Sequence, residues 1–143
     1  MKNLNRRVVL TLCAGSLALI FNPQAQAAAD ASEQGLQRVE WKVDGVAREA
    51  LVYAPATAKA SSTAVVFVFH GHGGNSRNAV RSFAMNRYWP EAISVYMQGL
   101  NTPGRLTDPE GKKPGWQHSV GAQQDRDLKF FDAVLLALAV AGA

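Results

Sequence analysis

The chain has 143 residues, 48% of them apolar and 18% charged, with a formal net charge of +4. That is one domain's worth at most. A basic balance points toward nucleic-acid or membrane partners, but Lys2, Arg6 and Arg7 sit together at the start, and without them twelve basic face eleven acidic side chains. No basic cluster beyond Lys112-Lys113 is left, so nucleic acid is discounted.

In chain order, the basic start runs into an apolar stretch, Val8 to Phe21, too short to span a bilayer comfortably. Asn22-Pro23 breaks it, and Ala25-Gln26-Ala27 supplies a small-residue cleavage pattern. Residues 1–27 are therefore expected to be a secretory signal peptide. The product is expected outside the cytoplasm, extracellular or periplasmic, without stable membrane association. Cys13 is the only cysteine and would leave with the signal, which excludes disulfide and thiol chemistry from the mature chain. Residues 28–35 are small and polar and are expected to be flexible; the domain is expected over 36–143.

"RVEWKV" alternates, with Val39, Trp41 and Val43 on one face, which predicts a half-buried strand. Asp44-Gly45 is a two-residue hairpin signal, and "REALVYAP" is the returning strand, ended by Pro55. "ATAKASST" is a loop. "AVVFVF" does not alternate, as expected of a strand covered on both faces. Ser76 to Tyr88 is predicted as a helix capped by Asn75 or Ser76, and "AISVYM" as another apolar strand. Residues 98–124 are rich in Gly and Pro and are expected to form a long loop. A helix is expected from Asp125 to Val140, with Asp125 and Asp127 at the favourable end of its dipole. Phe130 and Phe131 belong in the core. This order predicts an α/β sheet with an antiparallel edge, with the reactive crevice at the carboxyl ends of its parallel strands.

"HGHGG", His70 to Gly74, lies at such an end. A glycine-rich strand-to-helix turn can cradle phosphate, but the P-loop Lys-Ser/Thr is absent and Ser76 occupies the third glycine of G-x-G-x-x-G. The other chemistry is an oxyanion hole, where backbone N–H groups stabilise the charge that builds in acyl transfer. A tight turn without a ligand is the bland alternative.

Residues 48–135 resemble, in order, the secreted α/β-hydrolase esterases that include poly(3-hydroxybutyrate) depolymerases and feruloyl or acetylxylan esterases. The matching stretches are "LVYAP", "VVFVFHGHGGN", "PEAISVYMQGL", "PGRLTDPEGKKPGWQ" and "DLKFFDAVL". The resemblance implies the N-terminal portion of an α/β-hydrolase fold, an ester substrate (a polyester or an acylated polysaccharide), and no metal or cofactor. It implies an oxyanion loop over His70, Gly71 and Gly74, with the N–H of His72 as expected donor and that of Gly73 as the alternative. The His70 ring is expected to pack beneath the loop. The His72 ring either lines an acyl pocket or is solvated. Trp116 is a substrate-cleft candidate or an anchor of its loop.

A serine esterase also needs a nucleophile elbow, G-x-S-x-G, followed by Asp or Glu and then His. The sequence holds no such elbow: Gly74-Asn75-Ser76-Arg77-Asn78 fails at Asn78. His118, Ser119 and Asp125 are close in sequence, but proximity alone does not make a triad. The expectation is a fold cut before its elbow: catalytically inactive, prone to aggregate along an unpaired sheet edge, and possessed of no catalytic residue of its own. "AVLLALAVAGA" has no polar face, which suits a helix buried under absent structure, a frameshift near residue 136, or an incomplete gene reading. The competing expectation is a non-catalytic secreted remnant or binding module that keeps the glycine loop.

Overall fold

A computed structural model describes residues 33–59 and 62–141. The signal segment and Cys13 lie outside the described residues. Four strands form one mixed sheet: β1 (Gln37–Val43), β2 (Val46–Tyr53), β3 (Val65–Phe69) and β4 (Ile93–Met97), in the order β1-β2-β4-β3. β1 and β2 form the antiparallel hairpin, β2 runs antiparallel to β4, and β3 runs parallel to β4 with Val65 opposite Ile93. The chain thus has a mixed α/β architecture. The hairpin turns at Asp44 and Gly45 with φ of 50° and 83°, the two positive values that a type I′ turn demands.

The absence of alternation in β3 and β4 has a direct cause. A helix packs against each face of the sheet. α1 (Ser76–Phe83) covers Val66, Val68 and Tyr96, while the last helix, α3 (Arg126–Val140), brings Phe130 and Val134 onto Ala50, Val52, Val95 and Met97. All five residues of β4 are buried. β3 is less covered than its sequence suggests: it is an edge strand, and Phe69 is 43% exposed.

Several expectations need correction. Glu33, in the segment expected to be flexible, accepts from the exposed Arg77 and Arg81 of α1 at 3.2 and 3.1 Å. The helix expected over 76–88 is two helices. Asn75 is the N-cap, accepting from the Asn78 N–H at 2.8 Å, but Ala84 adopts φ 43° and ends α1; α2 (Met85–Tyr88) then starts in a new direction. Asn86 explains the break. Its N–H donates to the Tyr96 hydroxyl at 3.1 Å and its side-chain oxygen accepts from that hydroxyl at 2.7 Å. The 98–124 loop is not structureless: β5 (Leu100–Asn101) pairs with β6 (Pro114–Gly115). The last helix starts at Arg126 and not at Asp125, which occupies the N-cap position without a side-chain cap bond. Asp125 sits at φ 57°, and its carboxylate accepts from the Gly121 N–H and Gln117 Nε2 instead.

One buried ion pair fastens these layers. Arg48 of β2 is 2% exposed and donates to the Asp127 carboxylate at 2.7 Å and to the Arg126 carbonyl at 2.9 Å. Its guanidinium lies 4.3 Å from the centre of the Phe130 ring. The second Asp127 oxygen accepts from the Gln117 N–H at 2.7 Å, and the Asp127 N–H donates back to Gln117 Oε1 at 3.0 Å. Removing one partner strands a charge in the interior, which costs roughly 3–5 kcal/mol. Asp127→Ala should therefore remove much of the cooperative urea transition. Arg48→Met combined with Asp127→Leu should recover most of it, because no unpaired charge is then buried.

Candidate functional site

The glycine turn begins where β3 stops. His70, the first residue past the strand, is 4% exposed. The Gly99 N–H, just past β4, donates to His70 Nε2 at 3.0 Å. A backbone N–H can only donate, so Nε2 is the acceptor nitrogen and the proton lies on Nδ1. Nδ1–H then donates to the Gly71 carbonyl at 2.8 Å, and the Gly74 N–H reaches the same carbonyl at 2.9 Å. Both ring nitrogens are engaged, so His70 is a strut beneath the turn and has no free nitrogen for proton transfer.

The N–H groups along the turn divide sharply. That of Gly73 donates to the Pro114 carbonyl at 2.7 Å, that of Gly74 to Gly71, and that of Ser76 to Gln98 Oε1 at 2.9 Å. Those of Gly71, His72 and Asn75 have no partner among the described residues, and all three residues are exposed. The N–H of Gly73, the alternative donor expected from the sequence, is taken by the Pro114 carbonyl, and Gly73 sits at φ 77°. His72 keeps a free N–H, and Gly71 offers a second that the sequence did not single out. A hollow of about 350 Å³ opens beside the turn, lined by residues 70–74 with Asn78, Ser82 and Phe83.

The His72 side chain is 27% exposed. It is slotted into the 98–116 loop. A Cβ on Gly104 would come 2.8 Å from its Nε2, and one on Gly115 would come 2.6 Å from its Nδ1. These glycines leave the space that the imidazole fills. Nε2 meets the Asp108 carboxylate at 3.2 Å. Asp108, with a side chain 7% exposed, also accepts the N–H groups of Lys112 at 3.0 Å and Lys113 at 2.8 Å. The Lys112 N–H holds its carboxyl below the usual carboxylate range, helped by the Lys113 N–H and His72.

Trp116, half-buried, is tied to the turn. Its Nε1–H donates to the His70 carbonyl at 2.8 Å, and its ring lies 5.0 Å from those of both Phe69 and His70. His118, Ser119 and Asp125 do not form a triad: His118 Nε2 is 3.1 Å from the Pro103 carbonyl, and Asp125 is bonded to Gly121 and Gln117. A larger hollow of about 470 Å³ beside Arg48, Gln124 and Arg126 includes no residue of the glycine turn, and the Nε atoms of both arginines, without a hydrogen-bond partner among the described residues, are closed to solvent. Among the described residues no cluster of three or more His, Cys, Asp or Glu could hold a metal ion, and no helix is long and apolar enough to cross a membrane. Compared with known proteins, the chain matches no family model and no curated sequence.

The lowered Asp108 pKa gives a pH signature. A carboxylate whose folded pKa is depressed stabilises the fold above its unfolded value, near 3.9, and loses that contribution as pH falls through the folded value. Below about pH 4, the Lys112 and Lys113 amides should lose hydrogen-exchange protection before those of β4 do. Simultaneous loss in both regions would contradict this.

Proposed function

We propose that this chain carries the oxyanion turn of a secreted serine carboxylesterase, on the N-terminal portion of an α/β-hydrolase fold. The observation that supports this most is the pair of unbonded N–H groups at Gly71 and His72, at the carboxyl end of a parallel strand pair. That is where an open α/β sheet places its reactive crevice. The start of α1 lies directly behind the turn, and its dipole favours negative charge there. The ordered resemblance to polyhydroxybutyrate depolymerases and feruloyl or acetylxylan esterases points to the same chemistry.

In this mechanism a serine outside the present sequence attacks the carbonyl carbon of the ester. The carbonyl oxygen becomes an oxyanion and accepts from the His72 N–H, with a second donor following the nucleophile. Each such donor is worth about 3–4 kcal/mol of barrier. The Gly73 N–H, already committed to Pro114, fixes the turn so that little reorganisation accompanies the charge. The substrate is a carboxylic ester, a polyester or an acylated polysaccharide, met outside the cytoplasm. The residues present call for no cofactor.

The test has two parts. The 143-residue chain should neither hydrolyse short acyl p-nitrophenyl esters nor be labelled by a fluorophosphonate. The source DNA beyond codon 143, translated in all three frames, should encode G-x-S-x-G and then Asp and His. Unrelated sequence in every frame would overturn the esterase reading and leave a non-catalytic remnant or binding module.

A further inference from the structure

The His72 amide is positioned from two sides. From below, the His70 ring and the Gly71 carbonyl shape the turn. From the side, the His72 ring is held by a segment more than thirty residues away in sequence: Gly104 and Gly115 form the slot and Asp108 supplies the acceptor at 3.2 Å. Asp108 is itself over-determined. Its carboxylate accepts from two consecutive backbone N–H groups. Its own N–H and carbonyl pair with Gly104 at 3.2 and 2.7 Å, and its carbonyl also takes the Gly111 N–H at 3.0 Å. This rigid knot needs neither the sheet nor the helices for its internal bonds. It touches the turn at two points, the His72 ring and the Pro114 carbonyl that takes the Gly73 N–H at 2.7 Å.

We propose that Asp108 is a positioning residue for the His72 amide, acting through the His72 ring, so that residues 103–115 form a latch that sets the donor geometry of the glycine turn. The proposal rests on the reading of that turn as an oxyanion donor. With the latch closed, the ring cannot rotate, and the backbone of His72 is held with its N–H outward. With it open, the ring leaves its slot and the turn relaxes about Gly71 and Gly73.

Two variants reach the ring by different routes. Asp108→Ala removes the acceptor. Gly104→Ala places a methyl 2.8 Å from His72 Nε2 and expels the ring while leaving the carboxylate intact. In the ¹⁵N-labelled chain, each should speed exchange of the Gly73 amide at least about tenfold. Each should also move the His72 amide resonance to the same new position, with β4 amides unchanged. The double variant should do no more than either single one, because both act through one ring. A Gly73 amide at its original rate in Asp108→Ala, effects that multiply in the double variant, or equal acceleration in β4 would overturn the latch. Methylphosphonate titrated into the unmodified chain tests the underlying reading separately, through a saturable shift of the His72 amide. Coupling without that response overturns the oxyanion reading and leaves the latch; the response without coupling overturns the latch.

Discussion

The turn depends on one imidazole. His70 accepts from the first backbone N–H past Gln98, donates to the first carbonyl of the glycine turn, and offers its own carbonyl to Trp116. Three segments distant in sequence meet at that ring: the end of β3, the end of β4 and the far end of the long loop. A buried histidine whose two nitrogens face one donor and one acceptor has a fixed tautomer and a fixed orientation. That rigidity is passed to the glycines above it. Glycines alone would give a floppy turn, since they lose more conformational freedom on ordering than any other residue. Here bonds from His70, Pro114 and Gly74 hold the turn still, and the N–H groups left unbonded are those that face outward.

Arg48 and Asp127 play the corresponding part at the other side of the sheet. Arg48 comes from the hairpin, Asp127 from the first turn of α3, and Gln117 joins them from the loop. A fully buried ion pair contributes little net stability against a hydrophobic replacement. What it imposes here is register: α3 can slide along the sheet only by breaking the two directed hydrogen bonds that Arg48 makes to Asp127 and to the Arg126 carbonyl. The loop that carries Trp116 is thus pinned at two adjacent residues, Trp116 to the His70 carbonyl and Gln117 to Asp127.

The local features of this fold were plain in the sequence. The alternation of Val39, Trp41 and Val43, the Asp44-Gly45 turn and the unbroken apolar runs of β3 and β4 follow from patterns within a few residues. The glycine turn was equally plain, since only a backbone needing close approach or positive φ calls for His-Gly-His-Gly-Gly after a buried strand. What stayed hidden was set by distant partners. Ala84 is a good helix former, and only the bond between Asn86 and Tyr96 explains why the helix ends there. Asp125 reads as the first residue of the last helix, and only Gly121 and Gln117, which claim its carboxylate, account for its place just outside. Gly73 stands as the alternative donor to His72, and nothing local shows that Pro114, forty-one residues on, takes its N–H. The His72 slot could have been suspected from Gly104 and Gly115, but nothing local connects them to His72.

The most direct measurement is residue-resolved amide exchange across the turn in the unmodified chain. The account predicts protected amides at Gly73 and Gly74, and freely exchanging amides at Gly71 and His72. A protected His72 amide, or an unprotected Gly73 amide, would contradict it, because the donor proposed to meet the oxyanion would then be spent or the bond that fixes the turn would be absent.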